Sequence, residues 1–259
     1  MSFIVLLGQS TYNQILLIGR ITLFFISILK SFPRKIIETY QIVLQMFFIG
    51  AKTISIIVLS AIFIGSVLSI QGHYILNMFG ADDQLGQLVA LSVLRELGPV
   101  MTALLFIGRA GGSVTSEIGI MRLTDQINAL KSMQVSIQRY IMFPRLVAII
   151  VSLPLLTMLF NAFAIIGAYG ISTVSLKLDP GMFLISINTY VSLWDDVAAG
   201  LFKTLFFGII IATIALYYGI NATKSSTGVA HASTKTVVYS SISILLCDYI
   251  LTSMLMRLW

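Results

Sequence analysis

Charged side chains are scarce in this chain: only 10% of its 259 residues are Asp, Glu, Lys or Arg, against about 25% in an ordinary soluble domain. The 58% that are hydrophobic fall in long runs, without period-two alternation or a sharp 3.6-residue stripe, so lipid is the expected solvent. Cysteine is nearly absent. Cys247 alone excludes an intrachain disulfide and any Cys-rich metal centre, and the isolated His73 and His231 supply no metal-ligand spacing. There is no G-x-x-x-x-G-K-[ST] and no Gly-Lys dipeptide, which excludes ATP binding by a P-loop on this chain. Nor do a Ser-His-Asp set or paired carboxylates share a plausible pocket, so the sequence points away from catalysis and from a cofactor of its own. The first nineteen residues carry no charge, unlike the basic start of a secretory signal.

The net charge of +6 does not indicate nucleic acid, because the basic residues are scattered between apolar segments and lack interleaved aromatics. What remains is an all-α integral membrane protein with amino-terminal interfacial helices followed by five transmembrane helices. Residues 1–51 mix short apolar runs with Arg20, Lys30, Arg34 and Lys35, which suits one or two interfacial helices beside anionic head groups. A true span over Ile15 to Leu29 is the alternative. Residues 52–259 form the five-span domain.

The first span is charge-free between Lys52 and Asp82, and its second half holds Gln71, Gly72, His73 and Tyr74, which lipid tails cannot satisfy. The second runs from Gln87 to Ile107, interrupted by Arg95, Glu96, Gly98 and Pro99. A long polar connection follows, with Gly108, Gly111, Gly112, Glu117, Arg122, Asp125, Gln126, Lys131 and Arg139. The third covers Leu146 to Leu176, opened by Pro144 and kinked at Pro154. After a turn at Lys177 to Gly181 and a surface segment from Met182 to Trp194, the fourth covers Val197 to Ile220. A polar loop over Asn221 to Ser233 leads to the fifth, Thr236 to Met256, which Arg257 and Trp259 can anchor.

Residues 1–52, 109–145 and 221–235 carry twelve Lys or Arg, whereas the opposite connections carry Lys177, Lys203 and Arg257. The positive-inside rule therefore places the amino terminus in the cytoplasm.

Ionisable groups at mid-membrane require a partner or an aqueous cavity, at a cost of about 2.5–3.5 kcal/mol on insertion scales. Arg95 and Glu96 are neighbours, about 100° apart around a helix, so each should recruit its partner from another helix. They form either an ion-pair lock that fixes helix register or a polar spot on a transport path. Lys203 and Asp248, on consecutive spans, read as a structural pair. The glycines at 108, 111 and 112 read as a site of close helix approach.

The stretch LRELGPVMTALLFIGRAGGSVTSEIGIMRLTDQINALKSM, from Leu94 to Met133, closely resembles the signature of the MlaE family of permease subunits from phospholipid-transporting ABC complexes. The resemblance continues through Phe143-Pro144-Arg145, Ser152 to Leu156, Gly200 to Lys203, Tyr218-Gly219 and Asp248 to Thr252, covering about residues 45–256. It implies a homodimer in the bacterial inner membrane, joined to two cytoplasmic ABC ATPase subunits that bind ATP and Mg. It further implies a hexameric MCE-domain protein outside, in many bacteria a small STAS-domain subunit, and a role in lipid asymmetry of the outer membrane. The resemblance puts the lipid cavity at Leu68, Gln71, Ile75, Arg95 and Glu96. It puts the ATPase-coupling helix at Glu117 to Met133, with Glu117, Arg122, Asp125, Gln126, Ala129 and Met133 as coupling residues. The sequence departs from the family there: the usual Glu-Gln is Asp125-Gln126, the usual Ile-Asp-Ala-Leu has Asn128, and His231 stands where arginine is common. Two other classes stay open on the residues alone: a secondary transporter using Glu96 or Asp248 as proton carrier, and a membrane anchor without a polar cavity.

Overall fold

The computed structural model describes residues 3–30 and 37–258. Arg34, Lys35 and Trp259, given interfacial roles above, lie outside them. Among the described residues there is no strand, and five helices or helix runs are long and apolar enough to cross a membrane: Tyr40–Asn77, Asp82–Leu123, Gln138–Val174, Asp195–Ile220 and Ser226–Leu255. The chain is a multi-pass membrane protein.

The amino-terminal segment folds as α1 (Phe3–Leu29) and α2 (Ile37–Ile49). The apolar part of α1, Ile15–Leu29, is one of the shorter apolar helices; at ~1.5 Å per residue it falls short of a ~30 Å hydrocarbon core. The first span begins earlier than its charge-free stretch suggested. A single 3-10 turn at Ala51–Thr53 joins α2 to α3 (Ile54–Asn77). Lys52 does not end the apolar run, because its ammonium lies 4.6 Å over the Phe48 ring, a cation–π contact that keeps the charge at the surface.

The second span is longer than Gln87 to Ile107. It is assembled from α4 (Leu85–Ser92), α5 (Gly98–Phe106) and α6 (Gly112–Leu123), spliced by π-turns at Val93–Leu97 and Ile107–Gly111. The expected connection therefore begins after Leu123 rather than after Ile107: the helix continues through the glycine cluster. The polarity of that stretch is absorbed inside the bundle. Thr115 Oγ1 contacts the Thr236 hydroxyl at 2.9 Å and donates to the Ala215 carbonyl at 3.1 Å, while Ser233 Oγ donates to the Gly112 carbonyl at 3.2 Å. Of the three glycines only Gly112 permits a close approach, since a Cβ there would stand 2.9 Å from Ser233 Oγ and one at Gly108 would meet nothing within 4 Å.

The chain then turns at Thr124-Asp125 into α7 (Gln126–Ser132) and enters α8 (Phe143–Val174), which runs unbroken through Pro154. Asp179 caps α9 (Pro180–Tyr190), its carboxylate accepting from Gly181 N. Then come α10 (Leu193–Ile220) and α11 (Ser226–Leu258). The polar loop before α11 is shorter than the expected Asn221 to Ser233, because helix begins at Ser226.

Helices α8 and α10 form the centre, with α3 and α2 against α8, and α6 and α11 against α10. Lipid offers no hydrophobic drive for helices to associate, so close backbone approach must do it. The α3–α8 seam shows this: a Cβ on Gly167 would stand 2.5 Å from the Ile62 carbonyl, and one on Gly65 would strike the Ala164 backbone. Ser66 Oγ donates across the seam to the Gly167 carbonyl at 3.3 Å. Phe106, Phe160 and Phe207 fill the buried middle.

Candidate lipid path and coupling corner

The first π-turn contains Arg95 and Glu96, and both recruit partners from other helices, as their spacing required. The Arg95 Nε and Nη2 both lie 2.5 Å from Asp196 Oδ1. Asp196 is buried near the start of α10, and its other oxygen accepts from Ser192 N at 2.9 Å. Glu96 Oε2 lies 2.7 Å from Lys203 Nζ on α10. Lys203 Nζ also donates to the Arg95 carbonyl at 3.0 Å and the Thr252 hydroxyl at 2.7 Å, with Asp248 Oδ1 at 3.4 Å.

Lys203 lies behind the π-turn, in which a carbonyl pairs with the N–H five residues on, as Val93 does with Gly98. Its fully buried ammonium takes the Arg95 carbonyl, Glu96 and the Thr252 hydroxyl as the acceptors that its charge demands. The expected Lys203–Asp248 pair is present, but as the longer arm of a cluster whose closer carboxylate is Glu96.

These charges are held from one side and open on the other. The Arg95 side chain is 45% exposed and that of Glu96 39%, whereas Lys203 behind them is 2% exposed. Of the α3 residues assigned to the same cavity, Leu68 packs against the core, and Gln71 and Ile75 are exposed. Positions 68, 71 and 75 share one face of α3; the ion pairs of Arg95 and Glu96 run instead to α10, and Thr252 of α11 donates a hydrogen bond to Glu96.

The coupling segment divides in two. Glu117 and Arg122 lie on α6, Gln126 and Ala129 on α7, with Asp125 between them in a left-handed conformation (φ 58°) and Met133 just after. Glu117 Oε1 is 2.6 Å from Arg145 Nη2 on α8, and Arg122 Nη1 donates to the Ile220 carbonyl at the end of α10. Both residues thus tie the corner to the bundle. Gln126, Ala129 and Met133 are exposed, Met133 at 72%.

Asp125 pairs with Lys224, whose hydrogen bond and charge hold its carboxyl below the ordinary value. Asn128 Nδ2 donates to Asp125 Oδ1 at 2.7 Å. The two departures from the family pattern therefore act together: an acid at 128 would face Asp125, while the amide bonds to it.

Sequence reading missed Asp196 as the partner of Arg95, since the fourth span was started one residue later, at Val197. The signal was Ser192-x-x-Asp195-Asp196, a helix start in which Ser192 Oγ accepts from Asp195 N at 3.4 Å. It also missed Arg109, whose guanidinium donates to the Phe48 carbonyl at 3.1 Å and to Thr53 Oγ1 at 3.0 Å, satisfying the end of α2. No group of three His, Cys, Asp or Glu able to hold a metal occurs among the described residues.

Comparison with known proteins shows the family. A permease protein from Haemophilus influenzae, named for intermembrane phospholipid transport (MlaE), is 40% identical over 257 residues, which cover 98% of this chain and 97% of that one. A probable ABC transporter permease from Rickettsia bellii is 32% identical, covering 97% of this chain and 96% of its own. Another from Synechocystis is 36% identical over 80% of this chain and 79% of its own. Residues 42–254 match the family described as Permease MlaE, and the chain belongs to that family.

Proposed function

We propose that this chain is the membrane subunit of an ABC transporter that moves phospholipid between the inner membrane and an extracytoplasmic partner, in maintenance of outer-membrane lipid asymmetry. The observation that carries the reading is the half-open charge cluster: Arg95 and Glu96 present charge on an otherwise apolar bundle while Asp196 and Lys203 fix them from behind. Arg95 can give charge-assisted contacts to a lipid phosphate, and Leu68, Gln71 and Ile75 supply the wall for acyl chains. The names of the Haemophilus and Rickettsia relatives support phospholipid as cargo and an ABC partner.

The same reading has the amino terminus in the cytoplasm, a homodimer, two ATPase subunits that bind ATP and Mg, a hexameric MCE-domain protein and, in some complexes, a STAS-domain subunit. Dimerisation is supported by α11, of whose span only 11% is buried and whose Ile242, Leu246, Tyr249 and Ile250 are exposed. Gln126, Ala129 and Met133 form the face offered to the ATPase. Its closure would move the α6–α7 corner and change the shape of the cavity between the two copies. Only a difference in lipid affinity between the two shapes can drive transfer.

The test is lipid crosslinking and ATP-dependent transfer by the assembled complex carrying Arg95→Ala or Glu96→Ala. Loss of both signals with the complex intact is the expected result. Unchanged transfer removes the cluster from the path, and gradient-driven transport without any ATPase replaces the ABC reading by a secondary transporter.

A further inference from the structure

Beside the coupling corner lie two adjoining cavities of about 280 Å³ each, both lined by Lys131 and Ile220. Together they reach the ~300–1,000 Å³ typical of small-ligand sites. The first is polar and cationic, walled by Arg122, Lys224 and Asn128 besides Lys131. The second is mainly apolar, walled by Phe24 of α1 together with Val135, Ile137 and Met142, besides Ser136 and Gln138. Three cations there face one carboxylate, Asp125, which is committed to Lys224. Arg122 uses one N–H on the Ile220 carbonyl, leaving others of its five free to turn outward. No side-chain hydrogen bond or ion pair holds Lys131 among the described residues, and Lys131 stands where the two cavities meet.

We propose that this double cavity is a binding site for an anionic phospholipid of the surrounding leaflet, separate from the transport path at Arg95 and Glu96. The phosphate sits among Arg122, Lys131 and Lys224, and the start of an acyl chain lies against Phe24, Val135, Ile137 and Met142. Basic pockets between membrane helices suit such head groups. The apolar half distinguishes a lipid from an acidic protein segment, which would require only the cations. A lipid seated there would bridge α1, the α6–α7 corner and the end of α10, steadying the surface to which we assign ATPase docking. The site stands whether or not the chain transports lipid, because binding is read without ATP.

The test is native mass spectrometry of the full-length chain in detergent, titrated with phosphatidylglycerol and separately with phosphatidylcholine. Lys131→Gln should weaken phosphatidylglycerol retention about fivefold, the effect of one cation near an anionic surface, and leave phosphatidylcholine unchanged; Lys131→Arg should restore it. In the unaltered chain, phosphatidylglycerol with a diazirine near the head of its acyl chain should label residues 135–142, a result that does not depend on any variant folding. Equal retention by the unaltered chain and Lys131→Gln, or labelling confined to other helices, overturns the proposal. Displacement of the lipid by millimolar inorganic phosphate makes the cavity a free-anion site instead. If Lys131→Gln keeps its lipid but no longer binds the purified ATPase, the cations belong to the protein partner and the lipid assignment fails.

Discussion

Lys203 Nζ lies 3.0 Å from the carbonyl of Arg95 and 2.7 Å from Glu96 Oε2, so one buried ammonium on span four holds a backbone and a side-chain acceptor of span two. Lys203→Met should leave Glu96 without its cation. Removing one member of a buried pair costs about 3–5 kcal/mol, and the partial exposure of Glu96 argues for the lower figure. Thermal unfolding in detergent measures it.

At the coupling corner, Asn128→Asp places a second carboxylate beside Asp125. Lys224 cannot neutralise both, so amide exchange over residues 122–133 should quicken at neutral pH, and Lys224→Ala should do the same.

The pH dependence of that corner has a definite sign. Asp125 is depressed below its ordinary value of 3.8 by Lys224, so its contribution is complete above that value and is lost as the pH falls through the lower folded-state value. Hydrogen exchange at residues 122–133 should be level from neutral pH down to about 4 and lose protection only below it.

Gly65→Leu should part α3 from α8, because its side chain would enter the Ala164 backbone. Overpacking of this kind typically costs about 1–3 kcal/mol, and a backbone obstacle cannot rotate away, so the upper figure or failure to assemble is expected. Gly108→Leu, with nothing within 4 Å of its Cβ, should be neutral in the same assay.

Much of this was legible in the sequence for physical reasons. Length of apolar run located five spans, and the rule that membrane charges need partners foretold that Arg95 and Glu96 would look to other helices. What stayed hidden was the effect of geometry on polar helix surface. Thr115, Ser233 and Gly112 read as a loop because their partners are distant in sequence, Thr236 and Ala215 for Thr115, and each other for Ser233 and Gly112. Lys52 read as a boundary because an ammonium lying on its neighbour Phe48 cannot be seen from composition. Asp196 was lost because the expected span begins at Val197, four residues after α10 starts at Leu193. For the site residues, the charged pair was visible as an anomaly, but the direction each side chain takes depends on the π-turn that carries it.

That second span is fastened to α10 near both ends, Arg95 to Asp196 at one and Arg122 to the Ile220 carbonyl at the other, with Glu96 to Lys203 and Thr115 to the Ala215 carbonyl between them. From residue 196 to residue 220 an α-helix extends about 36 Å at ~1.5 Å per residue. A beam clamped at both ends to its neighbour behaves as one stiff lever, so a push on the α6–α7 corner would be felt at Arg95 as displacement rather than absorbed on the way.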